Sequence, residues 1–205
     1  MSNIKFYSTP QYETIFFGEY IIPNAGKPND IFAKYPIEWL VLEKNLSDRT
    51  ALLLSKYLID WEAIDSLFIE SWKNSYLRKW LNSEFYKKSF SPEEKQMIIP
   101  THTEGNVGNN NYTVDNVFLL SEEEVKKYFS LDEAIARLPM ILSLDDSGAS
   151  ESNPILISCE PMDWWTRTLG SYEGCAVSVD RHGDLVEVYA NLDEYGVRPA
   201  MRIQW

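Results

Sequence analysis

The fold of this chain is decided by Met162-Asp163-Trp164-Trp165-Thr166-Arg167, a segment with two adjacent tryptophans. Each indole carries about 150–250 Å² of surface that prefers burial, so neither ring can be exposed cheaply. The closing segment runs Tyr195-Gly196-Val197-Arg198-Pro199-Ala200-Met201-Arg202-Ile203. We expect these two segments to form the centre of the scaffold, with the earlier chain packed around them.

The first 57 residues contain three predicted strands, each with an apolar run, and the second has β-branched and aromatic residues. They are Tyr12 to Ile22, Pro36 to Leu42 and Thr50 to Tyr57. A short polar turn at residues 45–49 separates the last two, which is the pattern of a β-hairpin.

Helices are predicted next. One helix face is indicated by apolar residues at i, i+3, i+4 and i+8, namely Leu77, Trp80, Leu81 and Phe85. Ser71 or Asn74 is available to cap this helix. A serine followed three residues later by a glutamate, the pattern of a capping box, predicts three further helix starts, at Ser91, Ser121 and Ser130.

Two polar segments, residues 101–111 and 144–154, are predicted to be long loops. Between them, Asp115 to Leu120 has the pattern of a short buried strand. Further on, Ala176 to Val179 and Leu185 to Tyr189 alternate around a polar turn and predict a hairpin. The last strand, Val197 to Trp205, contains Pro199, which cannot donate to a sheet ladder. We therefore expect that strand to lie at a sheet edge or to start late.

These elements predict an α+β fold. We expect residues 1–205 to form a single compact domain with mostly antiparallel sheets and two to four flanking helices. Trp39, Trp80 and Trp165 are expected to have structural roles in its core.

The charge distribution limits the choice of partner. The net charge is −12, and it is uneven: residues 1–100 carry 12 Lys and Arg against 13 Asp and Glu, whereas residues 101–205 carry 7 against 18. This balance argues against direct binding of nucleic acid or of an anionic membrane, because both need a basic face. An acidic surface either keeps the protein soluble or docks a basic partner.

The two cysteines, Cys159 and Cys175, form neither a disulfide framework nor a zinc motif. We expect free thiols, and a single bridge between them is left open. The first residues lack a signal-peptide core, and no apolar run approaches the roughly 20 residues of a membrane helix. The expected location is the cytoplasm.

Catalytic and metal motifs are weak in this sequence. Two histidines, His102 and His182, lie in predicted turns, and a lone His102–Glu104 pair lacks the further ligands of a zinc site. Asp180 and Asp184 lack the spacing of an EF-hand. We therefore expect no cofactor and no metal.

Seven segments occur together in the chain, in the order Phe17-Gly18-Glu19-Tyr20, Pro36–Leu42, Leu53–Tyr57, Trp72–Asn82, Val117–Ser121, Trp164-Trp165-Thr166-Arg167 and Gly196-Val197-Arg198-Pro199-Ala200. In these segments the chain resembles an uncharacterised family of bacterial and phage domains of unknown function. The Trp-Trp-x-Arg segment, the hairpin and Gly-Val-Arg-Pro-Ala are also similar to C-type-lectin-like folds, which include formylglycine-generating enzymes and phage variable proteins. The chain departs from this pattern after Arg167, with Thr168-Leu169-Gly170 where relatives have Ser-Pro-Gly.

Two arginines lie in apolar surroundings and need partners if they are buried. Arg167 and Arg198 are expected either to hold the C-terminal segments together through bidentate pairs or to bind a ligand. The carboxylates considered as partners are Asp163, Glu38 and Asp193.

A non-enzymatic binding module is the function that this sequence favours, since a rigid β scaffold with polar loops commonly presents a recognition surface to protein or carbohydrate. The predicted binding residues are Trp164, Arg167, Tyr172, Arg198, His102, Asn110 and Tyr112. One alternative is an acidic bacterial or phage inhibitor that blocks a nucleic-acid-binding protein. A second is a formylglycine-generating-like enzyme that uses Cys159 and Cys175.

Overall fold

The computed structural model of the chain describes residues 7–8, 12–21, 34–65, 69–104, 112–141 and 156–205. Strands dominate this part of the chain, and every strand pair but one is antiparallel. The predicted α+β class is confirmed. The predicted loop 144–154 and residue Asn110 lie outside the described residues.

The larger sheet is built mainly from the N-terminal strands and is completed by the end of the chain. Its order is β1-β2-β3-β4-β16-β6, with β9 also paired to β16. The strands are β1 (Tyr7–Ser8), β2 (Glu13–Ile21), β3 (Lys34–Asn45), β4 (Thr50–Ser55), β6 (Ile98–Ile99), β9 (Phe118–Leu119) and β16 (Pro199–Gln204). The predicted hairpin of β3 and β4 is confirmed.

The second sheet has the order β14-β13-β12-β15-β5. Its strands are β5 (Asp60–Trp61), β12 (Trp164–Leu169), β13 (Cys175–Val179), β14 (Leu185–Tyr189) and β15 (Gly196–Val197). The predicted hairpin of β13 and β14 is confirmed. Two smaller hairpins join β7 (Thr101–Glu104) to β8 (Tyr112–Asp115) and β10 (Ala136–Ile141) to β11 (Leu156–Met162).

The helices are short and begin at serines. After a 3-10 turn at Trp72–Asn74, a continuous helix consists of α1 (Tyr76–Trp80), a π-helical turn (Leu81–Phe85) and α2 (Tyr86–Ser89). Three more follow, α3 (Pro92–Met97), α4 (Glu122–Tyr128) and α5 (Leu131–Ala134), and each has the predicted capping box. Ser71 caps the 3-10 turn, whereas α1 is capped by Ser75 and not by the predicted Ser71 or Asn74.

The adjacent tryptophans are both fully buried. Successive side chains of a strand point to opposite faces, so this pair requires cover on both sides of β12. Trp164 donates from Nε1 to the Ala134 carbonyl, while Trp165 donates to the Glu62 carbonyl and stacks on Tyr195. Residues of both sheets and of the helices form one continuous hydrophobic core, so the tail shares its interior with the front half.

The end of the chain passes from one sheet to the other within three residues. Gly196–Val197 belongs to the second sheet, and Pro199 opens β16 in the first. The prediction of a late start is confirmed, but the edge position is wrong, because β16 pairs with β4 on one side and with β6 and β9 on the other. A proline at the first position of a strand is compatible with this central placement.

Two other predictions in the middle of the chain were wrong. Residues 101–104 form strand β7 instead of the start of a loop, and the single strand expected from Asp115 to Leu120 is interrupted by a bend at residues 116–117. The polar composition of residues 101–104 misled the assignment, because Thr103 is buried by a partner strand that sequence alone does not identify.

Candidate functional site

The hairpin of β7 and β8 divides its side chains cleanly between two faces. The pairs are Thr101 with Asp115, His102 with Val114, Thr103 with Thr113 and Glu104 with Tyr112. One face is exposed and consists of His102, Glu104, Tyr112 and Val114. Tyr112 is 54% exposed and Val114 53%, and the two side chains lie on the same face because they are two residues apart in one strand.

The opposite face of the hairpin is polar but buried. The Asp115 carboxylate, 1% exposed, accepts hydrogen bonds at Oδ2 from the hydroxyls of Thr113 (2.6 Å) and Thr103 (3.1 Å). Arg78 binds Oδ1 through Nε at 2.8 Å and through a terminal nitrogen at 2.7 Å, and the Trp72 indole donates to Oδ2 at 3.3 Å. This network fixes the hairpin to the start of the first helix, because a buried carboxylate must keep its partners.

The π-helical turn brings a second anchor to the same place. Asn82 accepts hydrogen bonds at Oδ1 from the backbone N–H groups of Asn116 and Val117 and donates from Nδ2 to the Val117 carbonyl. The Asn82 amide therefore provides hydrogen-bond partners for the backbone groups of the bend that follows β8, where the strand pairing is interrupted. π turns often mark specialised positions of helices, and here the turn contains the side chain that secures the hairpin's exit.

Arg167 of the Trp-Trp-x-Arg segment secures the other strand. Its Nε donates to the Glu104 carbonyl at 2.8 Å and one terminal nitrogen donates to the Leu119 carbonyl at 2.6 Å. The same nitrogen pairs with Glu124, the capping glutamate of α4. Arg167 is 5% exposed, so it lies beneath the hairpin and is not part of its exposed face.

Thr168, which follows Arg167, secures the start of α4. The Thr168 hydroxyl accepts a hydrogen bond from the Glu122 backbone N–H at 2.9 Å. It thereby satisfies one of the free N–H groups at the start of α4.

The predicted binding residues do not form one surface. His102 and Tyr112 lie on the exposed face of the hairpin, and Tyr172 is 75% exposed on the turn between β12 and β13. Trp164 and Arg198, in contrast, are buried in the core, so neither lies on an exposed surface. Glu104 and Val114 share the outer face but were not selected, because the alternation of faces becomes visible only with the strand register.

Arg198 also differs from its predicted pairing. Its Nε donates to the Ser55 carbonyl at 3.0 Å and a terminal nitrogen donates to the Ala134 carbonyl at 3.3 Å. Asp163, Glu38 and Asp193 are not its partners: Glu38 pairs with Lys56, and Asp163 faces Arg181. The acceptors of the Arg198 hydrogen bonds are therefore backbone carbonyls and not carboxylates, which no local sequence pattern predicts.

Titration behaviour on the hairpin surface follows from its hydrogen bonds. The bond between the Tyr112 hydroxyl and the Glu104 carboxylate raises the pKa of Tyr112. Glu104 and Tyr112 are directly opposite each other in the strand pair, where cross-strand side chains can interact.

A second group of perturbed residues lies where β2 and β5 approach the first helix. The Tyr20 hydroxyl donates to Asp60 at 2.7 Å, and its ring packs against Trp80 and Phe85. Burial raises the pKa of Asp60, and burial followed by the charge of Asp60 raises the pKa of Glu62. Such shifts occur in structural networks as well as in active sites. Here the bond and the ring packing account for a link between sheet and helix.

Groups that could serve chemistry are sparse in the described residues. No set of three or more His, Cys, Asp or Glu side chains there is arranged to hold a metal ion. Cys175 is a half-buried free cysteine, while the side chain of Cys159 lies outside the described residues.

The helices of the described segments do not have the length and apolarity that crossing a membrane requires.

The model of a protein family matches most of the chain. The model of a family described as "Domain of unknown function (DUF6273)" matches residues 48–205. No curated protein and no solved structure matches the chain. The match begins after β3, so strands β1, β2 and β3 of the larger sheet all precede it.

Proposed function

We propose that this chain, which belongs to the DUF6273 family, is a non-enzymatic recognition module that presents the outer face of the β7–β8 hairpin to a protein or carbohydrate partner. The observation that carries the proposal is the contrast between the two faces of the hairpin. Tyr112 and Val114 are each more than half exposed, while Thr103, Thr113 and Asp115 behind them are buried.

The hydrogen bonds that fix the β7–β8 hairpin to the rest of the protein support a role in recognition. Asp115, Asn82 and Arg167 connect the hairpin to the helix and to the second sheet. A surface that is already ordered loses little conformational entropy on binding. The exposed Tyr112 combines apolar area with a polar hydroxyl, and aromatic residues are enriched at protein interfaces.

Two further properties belong to the proposed function: a C-type-lectin-like fold and a cytoplasmic location in a bacterium or phage-infected cell. A C-type-lectin-like likeness is supported by the neighbouring positions of β12, which contains Trp-Trp-x-Arg, and β15, which begins Gly-Val-Arg-Pro-Ala. The free thiol of Cys175 supports a reducing, cytoplasmic setting for a bacterial or phage protein.

The test compares two serine variants. Tyr112→Ser/Val114→Ser removes the apolar surface of the hairpin, and Leu46→Ser removes another exposed apolar side chain, 73% exposed on the β3–β4 turn. Both proteins are immobilised beside the wild type and probed with host lysate and with a glycan array. We expect a ligand that wild type and Leu46→Ser retain and the hairpin variant loses, with equal melting temperatures. Equal retention of every ligand by all three proteins would contradict the proposal.

The acidic alternative has support of its own in the excess of carboxylates over residues 101–205. In this version the module blocks a basic, nucleic-acid-binding protein. It predicts that complex formation weakens steeply between low and physiological salt, because exposed charges are screened over about 8–10 Å at these ionic strengths. A salt-independent complex with the hairpin face would exclude it.

A further inference from the structure

Strand β14 is the terminal strand of the second sheet. It pairs with β13 over five consecutive residues without a bulge, from Cys175 opposite Tyr189 to Val179 opposite Leu185. In the described part of the chain no strand covers its other side. An edge of this length is a template for a further strand unless the protein protects it.

The hydrogen-bond pattern shows which backbone groups of β14 point outwards. At one end of the hairpin the Asp180 N–H donates to the Asp184 carbonyl at 2.8 Å, and at the other the Ala190 N–H donates to the Gly174 carbonyl at 2.9 Å. Hydrogen-bonded pairs alternate along an antiparallel ladder, so residues 184, 186, 188 and 190 bond to β13. Leu185, Glu187 and Tyr189 therefore direct their N–H and C=O groups away from it.

Almost all of these outward N–H and C=O groups are available for hydrogen bonds to another strand. Within the described residues only the Tyr189 carbonyl has a partner, the Leu192 N–H at 3.4 Å. Three N–H groups and two carbonyls remain, spaced as the next strand of a sheet would need them.

The usual protection of an edge is missing from β14. The strand contains no proline and no lysine, and its one charged residue is Glu187. The Glu187 carboxylate accepts hydrogen bonds from the backbone N–H and the hydroxyl of Ser171, both at 2.9 Å. The carboxylate is therefore directed to the neighbouring turn and does not protect the edge of β14 against pairing with another strand.

The acidic residues around β14 indicate which kind of segment can pair with this strand. Between residues 171 and 194 there are six carboxylates and a single arginine, Arg181, which faces Asp163 at 3.6 Å. A second copy of this chain would place the same carboxylates against β14, and like charges brought together are unfavourable. A cationic segment meets the opposite sign.

Two exposed tyrosines strengthen this choice. Tyr189 is 67% exposed at the end of β14, and Tyr172 is 75% exposed on the turn that the Gly174–Ala190 hydrogen bond holds beside it. Aromatic faces attract lysine and arginine side chains.

We propose that β14 accepts an extended, lysine- or arginine-containing segment of a partner protein as an added sixth strand of the second sheet. The backbone supplies the ladder, and the surrounding carboxylates with Tyr172 and Tyr189 supply the selectivity. This surface is separate from the β7–β8 hairpin, and the proposal does not depend on the function assigned to that hairpin.

The probe is a synthetic nine-residue peptide that alternates lysine with threonine, and the control peptide has glutamate in place of lysine. Binding is followed by amide chemical shifts and hydrogen exchange of the full chain. We expect the lysine peptide to protect the amides of Leu185, Glu187 and Tyr189, and the glutamate peptide to leave them unchanged. Binding should weaken with salt.

A pair of variants separates backbone pairing from side-chain effects. Glu187→Pro removes one outward N–H, which an edge strand tolerates, and Glu187→Ala keeps it. Both lose the contact with Ser171. We expect Glu187→Ala to bind the lysine peptide and Glu187→Pro to bind about tenfold more weakly or not at all.

Three results would overturn the proposal: unprotected amides in the wild type with bound peptide, equal affinity of the two variants, or self-association through β14. If Glu187→Pro fails to fold, the wild-type amide protection and a Tyr172→Ala/Tyr189→Ala variant decide the question. Unchanged affinity of that variant, together with unchanged amides, would count against added-strand binding.

Discussion

Arg198 and Trp164 meet in the buried interior, with the guanidinium carbon 5.0 Å from the centroid of the indole ring. Phe129 lies on the same cation at 5.4 Å, and the hydrogen bonds of Arg198 go to backbone carbonyls of Ser55 and Ala134. Burial lowers the pKa of Arg198 to about 9, so the group is still a cation at neutral pH. The two segments that organise the sequence are therefore joined by a charge that rings and carbonyls stabilise.

Arg198→Lys should destabilise the protein strongly. Lysine lacks the planar fork that reaches two carbonyls and stacks on two rings, and its ammonium is more costly to desolvate. We expect a loss of about 2–4 kcal/mol in the free energy of unfolding, measured by urea titration. Arg181→Lys, on an exposed arginine, is the matched control and should stay within about 0.5 kcal/mol of the wild type. A similar small effect of Arg198→Lys would contradict the role given to the fork.

Asp115→Asn should loosen the hairpin. The substitution removes the charge that pairs with Arg78 and replaces one acceptor oxygen with a donor facing the network. We expect about 2–4 kcal/mol of destabilisation and faster amide exchange in residues 101–104 and 112–115. Thr113→Val, which removes the hydroxyl bonds to Asp115 and to Thr103 but leaves the charge pair intact, should cost about 1–2 kcal/mol. Unchanged exchange in both variants would mean that the network does not hold the hairpin.

Acid should weaken the contact of Glu43 with α4 and β16. Hydrogen bonds from Lys127 and Tyr128, with Arg202 behind them, lower the pKa of Glu43 to about 2. A folded-state pKa below the unfolded value gives stability that is present above about pH 4.5 and is lost as the pH falls towards 2. Since a third of the side chain is exposed, solvent screening reduces the contribution to about 1 kcal/mol.

The measurement is urea unfolding of wild type and Glu43→Gln at pH 7 and pH 2.5. The difference between them should be largest at pH 7 and shrink in acid. Glu13→Gln removes a single surface pair with Lys44 and should show little difference at either pH. A constant difference for Glu43→Gln would show that the carboxylate's charge is not what stabilises the contact.

Gly18→Ala should destabilise the bulge in β2. Gly18 has φ +71°, and an added Cβ would lie 2.6 Å from two ring atoms of Phe90 and 2.8 Å from the Ser89 carbonyl oxygen. Left-handed backbone costs a non-glycine residue about 1–3 kcal/mol, before any steric overlap is relieved. Thermal unfolding should show a clear fall in Tm, while Glu19→Ala on the neighbouring exposed residue should not. A neutral Gly18→Ala would imply that the bulge can relax.

Local signals predicted most of the secondary structure. Capping boxes at Ser91, Ser121 and Ser130 formed as expected because each involves residues three positions apart. The alternation of β13 and β14 identified their hairpin for the same reason. Adjacent indoles at 164 and 165 predicted a buried centre, since two large rings on opposite faces of a strand require cover on both sides.

Only the tertiary structure decided which distant groups meet. The sequence could not indicate that Pro199 opens a central strand, that Arg198 bonds to carbonyls rather than carboxylates, or that Asp115 lies beneath the hairpin. Each outcome depends on strand pairings and helix placements far apart in the chain. Their free energy comes from burial that no local window contains, and for that reason the exposed face of β7–β8 became visible only in the folded molecule.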